Sequence, residues 1–122
     1  MQNLVNFIDI PATDFSRAVS FYKAILGLEI NETEMAGTKM GFFPSDGTNA
    51  SGAIVQGADY KPAAHGVLAY LNGGGDLQDV LDKVSRHRGQ VIVPKTHISA
   101  EVGYIGIFID TEGNKMAVHS LR

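Results

Sequence analysis

The sequence predicts an α+β fold of two tandem βαβββ modules, and three observations carry that expectation. A helix template occurs twice: Asp14-Phe15-Ser16-Arg17-Ala18-Val19 is answered 62 positions later by Asp76-Leu77-Gln78-Asp79-Val80-Leu81, with apolar residues at matching places. The register persists beyond it, because Tyr22 falls on Val84, Gly27 on Gly89 and Ile30 on Ile92. Each template is also preceded by one strand-like run and followed by several. An internal repeat of this kind predicts a cleft between the halves as the place for function.

The elements follow in order. Leu4 to Ile10 alternates and stops at Pro11, as a strand entering a loop does. From Phe15, apolar residues recur at Ala18, Val19, Tyr22, Ile25 and Leu26, the spacing of a helix buried on one side. Thr13 or Asp14 can cap its free amides, and Gly27 can take the left-handed turn that ends it. Strands are expected at Leu28 to Met35, Thr38 to Phe43 and Ser51 to Gln56, divided by Gly37 and by Pro44-Ser45-Asp46-Gly47. Ala58 to His65 connects the halves. Gly66 to Leu71 is the next strand, and Leu77, Val80, Leu81 and Val84 mark a helix within 76–88. Gln90 to Val93, Gly103 to Ile109 and Lys115 to Ser120 complete the set, with Asp110-Thr111-Glu112-Gly113-Asn114 as a hairpin turn. Gly73-Gly74-Gly75 lacks the Lys-Ser/Thr that a phosphate loop requires and is an ordinary flexible lead into the helix.

At 122 residues the chain is expected to be a single domain, with module one at 1–60 and module two at 61–122. A domain of this size buries roughly 65% of its unfolded surface, enough for a core without staples. The formal charge of −3 and the lack of a Lys/Arg cluster argue against nucleic acid. With no cysteine, disulfides, thiolate metal sites and cysteine nucleophiles are excluded. Met1-Gln2-Asn3-Leu4 lacks the basic start and apolar stretch of a signal peptide, and no run reaches about 18 apolar residues. A cytoplasmic protein with no membrane partner is therefore expected.

Several segments, each weak alone, occur together in a fairly specific order. They are Asn6-Phe7-Ile8-Asp9-Ile10-Pro11-Ala12-Thr13-Asp14 with Arg17-Ala18 and Phe21-Tyr22, then Gly27-Leu28, Val93-Pro94-Lys95-Thr96, and Asp110-Thr111-Glu112-Gly113-Asn114. In this the chain resembles the vicinal oxygen chelate superfamily of glyoxalase I, extradiol dioxygenases and bleomycin- and fosfomycin-resistance proteins, and looks closest to its small glyoxalase-like members. The resemblance implies curled mixed sheets that enclose a shared cleft, and it favours a homodimer. It also implies where metal ligands would stand: a His or Gln on the first strand, a His on the strand opening module two, and a Glu on the last strand. Those places fall on Phe7, on Gly66 or Leu68, and on Ala117. None offers a side-chain ligand, whereas a catalytic site needs about three. No metal and no other cofactor is expected.

Strand alternation then selects the residues expected to line the cleft. Asp9 shares its parity with Phe7, and His119 with Ala117, so the two are expected to be its principal polar groups. An acid and an imidazole together form a base and its orienter, or two ligands of a displaced metal. Phe7, Phe42, Tyr70, Tyr104 and Phe108 are the expected aromatic lining, although core packing explains part of that set. His65 is read as a turn residue, His87 as a cation at a helix end, and His97 with Glu101 as members of a loop-like stretch. Three functions are open: a metal-free protein binding an apolar or amphipathic small molecule; a lyase, isomerase or dioxygenase with relocated residues; and a dimerising module with a vestigial cleft.

Overall fold

A computed structural model describes residues 4–122. Met1, Gln2 and Asn3, which entered the signal-peptide reading, lie outside the described residues. Module one contains β1 (Phe7–Pro11), α1 (Phe15–Leu26), β2 (Asn31–Met35), β3 (Thr38–Phe42) and β4 (Ser51–Gln56). The order then recurs as β5 (Tyr70–Asn72), α2 (Leu77–Arg86), β6 (Gln90–Ser99), β7 (Gly103–Ile109) and β8 (Lys115–Ser120). Each set makes a four-stranded mixed sheet, β1-β4-β3-β2 and β5-β8-β7-β6, whose first strand runs parallel to its last. The remaining neighbours are antiparallel. The two sheets share no strand pairing among the described residues and do not close into a barrel.

Local chemistry accounts for the helices. The Asp14 carboxylate accepts the Arg17 amide at 3.1 Å, and Asp76 accepts that of Gln78 at 2.9 Å, so each helix starts at its acidic residue. Gly27 ends α1 at φ 63°. The buried stripes are Phe15, Ala18, Val19, Phe21, Tyr22 and Ile25 on α1, and Leu77, Val80, Leu81 and Val84 on α2. Both helices settle onto their sheets at a glycine. A Cβ on Gly41 would lie 3.3 Å from Phe15, and one on Gly106 would lie 2.8 Å from Leu81.

The halves are joined by one core and by a polar clasp. Phe21 meets Phe108 at a ring separation of 6.1 Å, in the same cluster as both helix stripes. The buried Tyr22 hydroxyl donates to Asp110 Oδ2 at 2.6 Å, and Arg17 Nε donates to Glu112 Oε2 at 2.7 Å. Asn114 Nδ2 donates to the Pro11 carbonyl at 2.8 Å. The β7–β8 turn, expected only to reverse the chain, thus grips the first helix.

Two boundaries differ from expectation. The strand expected at 66–71 is regular only over β5, because Gly66 turns the backbone at φ 104°. The segment before it touches β8 through single bonds, such as Ala117 N to Ala69 O at 2.9 Å. In contrast, β6 runs on past Val93, the expected strand end, through Pro94-Lys95-Thr96 and the His97 of the expected loop-like stretch. Pro94 cannot donate to a ladder, and the strand absorbs it at a sheet edge with register shifts between Val91 and Thr96.

Candidate functional site

Ile8 and Ile10 on β1, Met116 and Val118 on β8, and Phe108 on β7 pack toward the helices. Alternation turns Phe7 and Asp9, Ala117 and His119, and Tyr70 to the opposite faces. The expected residues line three of several adjoining hollows. In module one, Phe7 and Phe42 tilt against each other at 6.2 Å and line a hollow of about 670 Å³, rimmed by the amides of Asn6, Asn31 and Asn49. In module two, Tyr70 and His119 line about 440 Å³ together with Ile98, Val102 and Ile105. Between the halves, Asp9 lines about 360 Å³ with Lys61, His65 and Lys115.

The expected cleft residues are therefore only partly brought together. Phe7 pairs with Phe42, and Tyr70 with His119, but Asp9 and His119 share neither a hydrogen bond nor a hollow. Equal parity fixes a face, yet these two stand on different sheets that do not pair. His119 Nε2 instead meets the Val102 carbonyl at 2.5 Å, a contact in which the ring nitrogen must donate.

Two aromatics lie elsewhere. Phe108 is 0% exposed and packs on Phe21 in the core. Tyr104 is on the same helix-facing side, with Lys95 Nζ 4.6 Å over its ring and His97 edge-on at 5.1 Å. Lys95 also donates to the Asp76 carboxylate at 2.9 Å, which holds that carboxyl below its usual range and ties β6 to the start of α2. The reason for the misplacement is that β7 is apolar on both faces, so its sequence carries no alternation to read.

Of the remaining histidines, exposed His87 caps α2 and exposed His65 lies in the connector as read, but beside a hollow. His97 is on a strand, and Glu101 is exposed in the turn after it. Lys61 and Lys115 carried no signal in the sequence, since only the fold places them beside Asp9.

The donor set does not suit a divalent metal at the positions that the resemblance marked. Phe7, Leu68 and Ala117 have hydrocarbon side chains, and Gly66 has none. No group of three His, Cys, Asp or Glu side chains capable of holding a metal occurs among the described residues. No helix among them is long and apolar enough to cross a membrane.

Fold and faces define a tandem βαβββ protein with open sheets. Residues 4–118 match the Glyoxalase/Bleomycin resistance protein/Dioxygenase superfamily, and the chain belongs to that family. Among solved structures it is similar to a glyoxylase/bleomycin resistance protein/dioxygenase domain from Frankia sp. EAN1pec, with a TM-score of 0.75, 12% identity and full coverage of both chains at 100%. It is similar to the fosfomycin resistance protein FosX from Listeria monocytogenes, with a TM-score of 0.68 and 14% identity, over 98% of this chain and 91% of that one. Glyoxalase I from Zea mays gives a TM-score of 0.71 at 13% identity, over 94% of this chain but only 43% of the maize chain. At such identities the likeness is one of fold. No curated protein matches the chain.

Proposed function

We propose that this chain is a small-molecule-binding member of the superfamily that works without the usual metal triad, holding an apolar or amphipathic organic ligand on its helix-free faces. What supports the reading is that Phe7, Gly66 or Leu68, and Ala117, where the resemblance would place metal ligands, offer no side-chain donor, beside hollows walled by Phe7 with Phe42 and by Tyr70 with Ile98, Val102 and Ile105. Concave apolar walls with a few polar groups are the usual composition of such sites. His119 and the amides of Asn6, Asn31 and Asn49 would orient the ligand. The alternative of relocated chemistry through Asp9 and His119 loses its geometric support, because the pair occupies separate hollows.

The experiment combines elemental analysis with thermal-shift screening of aromatic and amphipathic small molecules on the purified chain. The reading expects no stoichiometric transition metal and a ligand-dependent rise in Tm. That rise should be lost in Phe7→Ala or Tyr70→Ala. About one Ni, Zn, Fe or Mn per chain would overturn it in favour of metal chemistry.

A further inference from the structure

The hollow between the halves differs in chemistry from the two apolar ones. β1 contributes Asp9 to it, the connector contributes Lys61 and His65, and β8 contributes Lys115. Ile8, Ala69 and Met116 add an apolar wall, and the fully exposed Val67 stands at the mouth. The surrounding backbone is held firmly: Asn114 Oδ1 accepts the Ala63 amide at 3.2 Å, and Asn114 Nδ2 reaches back to β1 through Pro11. The walls are thus pinned to one another by the same asparagine, from both modules.

The cations in this hollow are unpaired. Among the described residues, the ion pairs are Arg17–Glu112, Lys23–Glu29 and Lys95–Asp76. Lys61, His65 and Lys115 take part in none, and their side chains make no hydrogen bond. Lys115 is half-buried, in a chain whose acids outnumber its lysines and arginines by 13 to 10. Asp9 lines the same hollow and yet lies beyond ion-pair distance of either lysine. Asp9 and the two lysines thus line one hollow without pairing, with Lys61 and His65 exposed at its rim.

We propose that this hollow is a binding site for a small organic anion, a carboxylate or a phosphate ester. Lys61 and Lys115 hold the anionic group by charge-assisted hydrogen bonds, and the apolar remainder lies along Ile8, Ala69 and Met116. His65 supplies a further hydrogen bond. Asp9 opposes the anion's charge and selects for ligands that present a hydroxyl or amine toward it. The site is independent of the aromatic hollows, so either assignment can fail without the other.

Backbone amide shifts of the full chain should be followed by NMR at constant ionic strength, with sodium phosphate, sodium butyrate and butylammonium chloride as separate probes. The expected result is saturable shifts at Ala63, Asn114 and Lys115 with phosphate, butyrate or both, at about 1–10 mM as suits an open site. Which anion saturates first distinguishes the phosphate from the carboxylate source. Butylammonium should leave those amides unmoved. The Lys61→Gln/Lys115→Gln variant should weaken anion binding at least about tenfold, the scale of one lost charge-assisted bond. Lys39→Gln, an exposed lysine on β3 away from the hollow, should bind as the parent does. Asp9→Asn should tighten binding several-fold, a gain that general charge screening cannot produce. Melting curves check that the variants fold, and Asp9→Asn tests the site from the opposite sign should the double variant unfold. Shifts that rise linearly without saturation, or persist unchanged in a folded double variant, would overturn the assignment, as would unchanged binding in Asp9→Asn.

Discussion

Glu112 is the residue on which the two halves depend most directly. Its side chain is fully covered and accepts the Asp14 amide at 2.7 Å, the Thr13 amide at 2.9 Å and Arg17 Nε at 2.7 Å. Burial pushes its pKa up, but the Arg17 bond and the amides of Asp14 and Thr13 outweigh it and hold the carboxyl at about 2. The carboxylate also stands at the start of α1, where the helix dipole favours a negative charge. Because the folded chain resists protonating Glu112, the unfolded chain binds more protons between pH 4.5 and 2. Its stabilisation is complete above the unfolded value and disappears as pH falls through that window. After solvent screening of the exposed Arg17 side, the shift corresponds to on the order of 1–3 kcal/mol at neutral pH. Glu112→Gln should therefore lower the urea midpoint at pH 7 and flatten the acid dependence between pH 4.5 and 2. Parallel acid curves for parent and variant would refute this account. Tyr22 is coupled to the same turn: burial, and then the Asp110 charge, raise its pKa well above the usual value, so it stays a donor. Tyr22→Phe removes one of the donors to Asp110 Oδ2 and should cost about 1–3 kcal/mol in chemical denaturation.

At the scale of elements, the helix repeat was legible and its endings were not. Gly27 and Gly89 align in sequence, but only Gly27 ends its helix with the left-handed turn. After α2 that conformation falls on Arg88, at φ 74°, and Gly89 serves close packing instead. A Cβ on Gly89 would stand 2.7 Å from Val84 and 2.9 Å from the Phe21 ring. The two positions should respond in opposite directions. Arg88→Gly should raise stability by about 1 kcal/mol through relief of the left-handed cost. Gly89→Ala should lower it by about 1–3 kcal/mol through overpacking. A thermal melt of each variant decides the matter, and equal or reversed shifts would contradict these assignments. The strands divide similarly. Ser51–Gln56 and Gly103–Ile109 were bounded correctly because turn residues punctuate them. β6 was cut short at Pro94, since a proline reads as a break unless the chain is known to lie at an edge.

For the whole molecule, several large apolar groups stand exposed. Phe7 at 46% exposure, Tyr70 at 55% and Ile98 at 51% stand around the hollows on the helix-free faces. Exposed large apolar groups of this kind are what an interaction surface would cover. A homodimer that covers these faces, and thereby narrows the hollows, is the proposed assembly. Light scattering at micromolar concentration should give twice the 13.1 kDa chain mass. Phe7→Asp with Tyr70→Asp should return a folded monomer. A parent species of 13.1 kDa would rule the dimer out.

The sequence by itself determined the βαβββ order, the helix cores and the faces of β1 and β8, because these are local matters of period, capping and parity. Phe7, Asp9, Ala117 and His119 could be assigned a side of their strands for that reason. It could not determine which hollow each residue enters, since that depends on how two unpaired sheets are held against one another. The clasp of Arg17 and Tyr22 on Glu112 and Asp110 sets that relation, and its bonds span 88 to 95 residues of chain. It also leaves Asp9 beside Lys61 and Lys115 rather than beside His119. Alternation acts along one strand, and only long-range contacts between strands decide what each face meets.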